Sequence, residues 1–544
     1  MNRSSQFSIV GPILAMLAGC HGGDSDPSPE LVGEVASPTH TVAPHNQGVS
    51  DTNTLGGSSI NPSVAVTDGN NTEMVSDAAI SFERDGLTYV STATLNGQGE
   101  AGIWTEQSSD TWPMPATPSL ASDGAPFNAY EGNGTILAFH STHGPAELRD
   151  HVFVYTGKAG SEAHGTHGAF GGESTDVVAI VSDDAGVTFG AAVVLTEPVE
   201  SPHRRLAIDS VVSTVQIDPL NGASTPRFWT LWRQHQVTAN DTLVEPKWML
   251  RCANVRVSEL GSDIVPCKRT YVLNSEDWDH IPVDAGPPNL VVHETEYSHE
   301  AGELEGEDGG APGGVGGVTI VYPTHDPKKD TCPTTDLFHV EWHALSWHNG
   351  WTTELVGMDA AWRPCVGPDV KHPLRPALTS NAAAGMIYGA ITGGSPTDPT
   401  TKVYVIRKAI GTPGWQNVTP PEEALSGHDQ WAPAISLYHY PTDPTDKYDI
   451  GLLWYDTRYD SWSPKGNTFV DILGKTYRHV SSGNATWNNP VTLNTVHGQE
   501  VEAPLGDYNA IGAMPHVSTG FLGAWGDQRS SDDTEVWAAS FLHN

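Results

Sequence analysis

From about residue 78 onward, short apolar runs alternate with turns of Gly, Asn, Asp and Pro, and no segment keeps a helical period for long. This pattern predicts an all-β body of short strands. A longer repeat underlies it. Each unit opens with a polar loop and a short strand, runs into a strand that ends in an aromatic followed by polar residues, and closes with a strand, a tight turn and a Trp or Phe. The clearest copies are Trp454-Tyr455-Asp456-Thr457-Arg458 and Trp525-Gly526-Asp527-Gln528-Arg529, both W-x-D-x-R and 71 residues apart. Weaker copies end at Trp232 and Tyr322, and Ala383 to Gly393 fits an unmarked unit. The resulting units lie near 78–118, 119–198, 201–273, 277–357, 371–420, 426–496 and 501–542. Repeats of four short strands that cannot bury their faces alone close radially into a β-propeller. The count favours seven blades, with six the alternative if a terminal unit is misread. The last unit has room for only about three strands, so a strand from before residue 78 must complete it and close the ring.

The N-terminus follows a different logic. Arg3 precedes a short apolar stretch, Phe7 to Leu17, broken by Gly11 and Pro12 and too short for a permanent span. The stretch ends in Leu17-Ala18-Gly19-Cys20, which resembles the bacterial lipobox. That resemblance implies a signal peptide over 1–19, a diacylglyceryl anchor on Cys20 and, with His21 next, sorting to the outer membrane. Residues 20–75 carry few large apolar side chains and read as a disordered tether, leaving 76–544 as the folded body. Four further cysteines suggest disulfides in an exported protein. Of the three pairings, the local ones, Cys252 with Cys267 and Cys332 with Cys365, close the shortest loops. A zinc site is the competing reading, but no Cys-x2-Cys pair is present.

Charge narrows the partners. With 27 Lys and Arg against 65 Asp and Glu, the formal charge is −38, which disfavours nucleic acid. The histidines His140, His143, His151, His164 and His167 are read as solvated rather than metal-binding, and no metal or other cofactor is expected. The acidic run Glu294 to Asp308 is read as a solvated insertion.

One turn carries a family resemblance. Ser182-Asp183-Asp184-Ala185-Gly186-Val187-Thr188-Phe189 matches the Asp-box pattern S-x-D-x-G-x-T followed by Trp or Phe. In that pattern the Asp accepts hydrogen bonds from the hairpin and the aromatic packs beneath it. Ser482 to Trp487 is a degraded copy, with fainter ones at Asn349-Gly350-Trp351 and Pro413-Gly414-Trp415. With Leu505-Gly506-Asp507-Tyr508 ahead of the final W-x-D-x-R, these turns resemble the sialidase-like Asp-box (BNR-repeat) propellers of bacterial surface proteins, over roughly 78–542. The resemblance implies a glycan or glycoprotein partner and, in its catalytic form, exo-sialidase-like hydrolysis. Protein partners are left open.

In a propeller the loop before each first strand converges on one mouth. Those loops hold Asp77, Asp123, His203-Arg204-Arg205, Asp277-Trp278-Asp279-His280, Arg375, His428-Asp429-Gln430-Trp431 and Asp507-Tyr508. Arg205 and Arg375 are candidate carboxylate-binding arginines, and Arg204 is a candidate substrate contact beside them in sequence. Trp278, Trp431, His280, Asp429 and Asp507 are candidate substrate contacts. The alternative for each is a structural hydrogen bond between neighbouring units. A retaining sialidase uses three arginines, a Tyr nucleophile activated by Glu, and an Asp acid/base. By loop position Tyr508 would be the nucleophile and Asp279 the acid/base. The family's R-I-P tripeptide is missing, Arg84 is poorly placed to replace it, and no Glu stands beside Tyr508. The Asp and Arg of W-x-D-x-R recur between units, which favours a structural salt bridge over catalysis.

Overall fold

A computed structural model describes most of the strands and their shorter connections between residues 46 and 542. Outside the described set lie residues 1–45, 51–58, 68–74, 116–126, 140–150, 161–174, 198–204, 218–223, 238–242, 294–316, 325–337, 421–427, 440–446, 459–468, 481–485, 495–498, 501–504, 506–508, 515–519, 528–533 and 543–544, with a few shorter stretches. The described body is all-β, with only one turn of 3-10 helix, Ser109–Thr111. No described helix is long and apolar enough to cross a membrane.

Why the strands are almost continuously apolar is plain in one of them. In Ser224–Val237, Phe228 and Trp232 enter one core while Trp229 and Leu231 enter the core on the opposite face. Successive side chains of a strand point to opposite faces, so a sheet covered on both sides must be apolar at every position. The same split divides Val177, Ala179 and Val181 from Val178 and Ile180, and Leu452 from Leu453. Such sheets cannot stand singly; each needs a neighbour on either side.

The sheets are antiparallel meanders in a propeller-like arrangement. Arg205–Ile217, Ser224–Val237, Leu243–Ser258 and Gly261–Val272 form one. Asn289–His293, Gly317–Pro323, Phe338–Trp347 and Trp351–Trp362 form the next, followed by Ala377–Asn381, Met386–Ser395, Asp398–Ala409 and Gln416–Asn417. Gln430–His439, Lys447–Asp456 and Phe469–Val480 carry three short outer strands on the last of them. Before these lies an eight-stranded sheet in two four-stranded halves, Ser59–Val66 to Thr105–Ser108 and Ala129–Phe139 to Val193–Val194, whose described strand pairing across the halves is Leu87 with Glu131.

The final sheet contains Ala510–Met514, Gly520–Asp527 and Glu535–Leu542, and its fourth strand is Asn46–Gly48 from the other end of the chain. This closing strand is what the short last unit requires. It also corrects the expected domain boundary: the body begins at least as early as Asn46, not at 76, and the first sheet begins with Ser59–Val66. That segment reads as tether because its side chains are small. Ala65 nevertheless joins one core, while Val64 and Val66 pack on another.

Contacts between leading strands run from Ser59–Val66 to Ala129–Phe139, then to Arg205–Ile217, Asn289–His293, Ala377–Asn381, Gln430–His439 and Ala510–Met514, and back to Ser59–Val66. Hydrogen bonds tie each junction at the end where these strands begin. Gly132 N–H donates to Gly86 O, Ile208 N–H to the Thr175 hydroxyl, Trp248 Nε1 to Pro282 O, Asn289 Nδ2 to Pro376 O, Thr401 N–H to Asp429 Oδ1, Asn509 Nδ2 to Ala432 O, and Ser59 N–H to Thr534 O.

The 182–189 turn shows how a local motif serves this plan. Asp184 accepts from Thr188 N–H at 2.8 Å and from the Thr188 hydroxyl at 2.6 Å, while the Ser182 hydroxyl accepts from Gly186 N–H at 2.9 Å. Ala185 and Gly186 are left-handed, at φ 61° and 82°. Burial pushes the Asp184 carboxyl up, but the Thr188 and Ser182 hydrogen bonds outweigh it and hold the group below the usual carboxylate range. Phe189 then packs on Trp112, ring centroids 4.3 Å apart. Trp351, Trp415 and Trp487 occupy the same place, entering the fourth strand of their sheets and packing on the core shared with the preceding sheet.

Removing residues 46–50 leaves one edge of Glu535–Leu542 unpaired and takes Val49, which is only 3% exposed, out of the core shared by the first and last sheets. We expect thermal unfolding to shift down by about 5 °C or more relative to the chain that retains them, as read by circular dichroism; an unchanged midpoint would mean the strand contributes nothing to closure.

Candidate functional site

The junction between the Arg205–Val272 and Asn289–Trp362 sheets gathers a group of partly exposed charges. The leading strand breaks register between Ile208 and Ser210, leaving Asp209 unpaired at a bulge near the strand's start. Bulges re-aim a side chain out of the ladder. On the neighbouring strand Arg233 and His235 are two residues apart and therefore share a face. Arg233 Nε donates to both Asp209 oxygens, at 2.8 and 2.9 Å, and His235 Nε2 approaches Asp209 Oδ2 at 2.8 Å. An ionised carboxylate can only accept, so that imidazole nitrogen is the donor.

Arg233 is fixed further by donation to Ala285 O at 3.1 Å, and its guanidinium carbon stands 5.2 Å from the centroid of the Trp248 ring. Since Trp248 also donates to Pro282 O, the connection running from Trp278–Asp279 to the next leading strand is pinned against this group. Burial raises the Asp209 carboxyl, yet hydrogen bonds from His235 and Arg233 prevail and keep it below the usual carboxylate range. The side chain remains 30% exposed, against 11% for Arg233 and 13% for His235. The result is a rigid, ionised carboxylate flanked by an imidazole and open to solvent.

Of the residues singled out by sequence, Arg205 starts this leading strand opposite Val237, and Trp278 and Asp279 form a two-residue strand paired with Asn274 and Ser275. Arg375 is half-buried at the next junction, where its neighbour Pro376 accepts from Asn289. Arg204, His280, Asp507, Tyr508 and Cys20 lie outside the described residues, as do Asp123, His203 and Asp277. No described contact joins Arg205, Asp279 and Arg375 in one cluster.

Asp429 and Trp431 occupy interior positions. Asp429 is 3% exposed and accepts from Thr401 N–H at 2.7 Å; Trp431 is 3% exposed and stacks on Tyr455 at 5.4 Å. Neither presents a free face to solvent. Asp77, read from sequence as a leading-loop residue, lies at the start of a second strand because the first sheet begins earlier, and it meets His151 at 2.5 Å. Arg84 is 1% exposed, with its guanidinium held by Glu106 at 2.8 Å.

The W-x-D segments are structural. Asp456 is fully buried and accepts from Trp454 Nε1 at 3.0 Å, Gln430 Nε2 at 2.9 Å, and Arg458 Nε and a terminal Arg458 nitrogen at 3.0 and 2.7 Å. Trp525 Nε1 donates to Asp527 at 3.0 Å, and Trp232 Nε1 makes the equivalent bond to Gln234. In the second copy a glycine is demanded between Trp and Asp, because a Cβ on Gly526 would stand 2.2 Å from Leu505 O. Cys252 and Cys267 form a disulfide. The partner pairing of Cys332 with Cys365 lies outside the described side chains, as do His140, His143, His164 and His167. Among the described residues no three His, Cys, Asp or Glu side chains are grouped to hold a metal ion.

Asp209, Arg233 and His235 are absent from the sequence-derived candidates. Their signal was an acid within the mostly apolar Leu206–Val212 run and an Arg-x-His step just after the weak Trp232 repeat.

No family model and no curated protein matches the chain. Among solved structures it is similar to the NanB sialidase from Streptococcus pneumoniae, at 8% identity over 89% of this chain and 93% of that one, with a TM-score of 0.33. It is also similar to an intramolecular trans-sialidase from Ruminococcus gnavus, at 10% identity, 88% and 94% coverage and a TM-score of 0.34. An α-L-arabinanase from Penicillium chrysogenum matches at 11% identity, 72% and 88% coverage and a TM-score of 0.34. Likeness at this level transfers no activity to the chain.

The buried ion pair yields a test. Burial opposes ionisation of Asp456, but Arg458 prevails and keeps its carboxyl below the usual range. A depressed folded value means that the stabilisation is present above the unfolded value near ~3.9 and is lost as pH falls below it. Asp456→Ala is expected to cost on the order of 3 kcal/mol at neutral pH. The variant should also lose less further stability than the parent between about pH 5 and pH 2, read from urea midpoints.

Proposed function

We propose that the chain is a sialidase-like propeller of seven blades, carried by a lipid anchor at Cys20 on the outer membrane, and that it engages glycans or glycoproteins at the end where the leading strands begin. The observation that carries this reading is the closed circuit of leading-strand contacts; in a propeller such a circuit brings the strand starts around one axis. Seven cores among the described residues, each shared by two consecutive sheets or halves of the eight-stranded sheet, support the blade count. The 182–189 turn supports assignment to the Asp-box class. The Asp209, Arg233 and His235 cluster, beside the Trp278–Asp279 connection, supplies fixed polar groups of the kind that orient a sugar.

Within this reading Arg205 is a candidate for contacting an acidic group, as is Arg375 if it exchanges its present interaction; Arg204, Trp278 and His280 are candidate substrate contacts, and Asp507 precedes Tyr508 in sequence. Hydrolysis would use Tyr508 as nucleophile and Asp279 as acid/base. The burial of Arg84 against Glu106 favours a second reading, binding without turnover, because it leaves the opening position with no arginine able to reach a ligand.

A glycan array and a fluorogenic glycoside panel separate the two. Retention with aglycone release that falls at least about 100-fold in Tyr508→Phe is expected of the catalytic form, and retention without release of the binding form; failure in both assays rejects glycan engagement. The anchor is tested separately by metabolic labelling with a fatty-acid analogue, which should mark the full chain and leave Cys20→Ala unlabelled.

A further inference from the structure

Resting on the glycan reading above, we propose that the Asp209, Arg233 and His235 junction binds a neutral, hydroxyl-rich glycan residue, not a sialylated one. The exposed acceptor here is an ionised carboxylate. Its oxygens have about four acceptor positions, and the described contacts are one shared Arg233 Nε–H and the His235 Nε2 donor. The carboxylate therefore keeps capacity to accept from a hydroxyl pair on a sugar.

An anionic sugar would meet the opposite situation. Arg233 has its charge opposed by Asp209 and its remaining reach directed at Ala285 O and the Trp248 face. Several other described arginines are likewise committed: Arg84 to Glu106, Arg458 to Asp456, Arg478 to Asp449, Arg251 to the carbonyls of Cys267 and Leu195, and Arg227 to Asn254. Arg375 is engaged as well. A carboxylate-bearing ligand would approach Asp209 with no uncommitted guanidinium in this cluster, on a chain of formal charge −38. Hydroxyl groups carry no such penalty and gain a charge-assisted hydrogen bond.

The test compares matched neutral and terminally sialylated oligosaccharides of the same core on an array and by titration calorimetry, using the full chain. Neutral glycans should be retained, and sialylation should weaken binding about tenfold, by a margin that shrinks as salt screens the repulsion. Asp209→Asn should weaken neutral binding by a similar factor and reduce the discrimination against sialylated forms, with the melting profile checked in parallel. Preference for the sialylated member by the unmodified chain would overturn this inference alone, and needs no variant to be seen. Unchanged neutral binding in a folded Asp209→Asn protein would overturn it too. Retention of neither class would reject the glycan reading and this inference together.

Discussion

Burial on both faces of every sheet is the constraint from which the rest of this molecule follows. A strand such as Ser224–Val237 places aromatic residues alternately into two cores, so its sheet gains its stability only when flanked on both sides. A row of such sheets would end in two exposed apolar faces, and closing the row removes both. Here the first and last sheets share the core formed by Val49, Ala78, Ile80, Phe82, Met514 and Leu522, and Asn46–Gly48 completes the last sheet from the far end of the chain. Closure thus binds the termini of the folded body to one another.

The polar chemistry is subordinate to that packing and is placed by it. Every junction has a hydrogen bond crossing from one sheet to the next at the end where hairpins meet the following leading strand, and further bonds cross elsewhere. Most of these groups are buried and satisfied, as with Asp456 and its five donor atoms. Asp209 differs because a bulge takes it out of the ladder while two residues of the neighbouring strand hold its charge. A carboxylate kept ionised, rigid and partly open is a recognition element; the same carboxylate fully enclosed, as Asp449 is by Arg478, is a brace.

Much of the fold was legible because its signals are local. The 182–189 turn, the W-x-D pairs and the aromatic entering each fourth strand are set by residues a few positions apart, and their spacing marks the sheets. The first sheet was misplaced because Ser59–Val66 is made of small residues whose burial depends on partners far along the chain. The site was less legible. Asp209 meets Arg233 and His235 across a gap of more than twenty residues, through strand pairing and a register shift that no motif announces. Asp429 and Trp431 sit in a leading segment, as expected, yet a neighbouring sheet covers them, and nothing in the local sequence separates a lip residue from one a few ångströms inside.

Closure by the N-terminal strand is most directly measured with a cross-strand disulfide. Gln47 and Ala538 are opposed residues of the closing pair, at the separation a disulfide spans when antiparallel strands are in register. In a Gln47→Cys, Ala538→Cys chain, mild oxidation should yield an intramolecular bond detectable by peptide mapping, together with a raised melting temperature. Failure of these two positions to link, under conditions in which the native Cys252–Cys267 bond forms, would contradict ring closure and with it the convergence of the strand starts on which the proposed site depends.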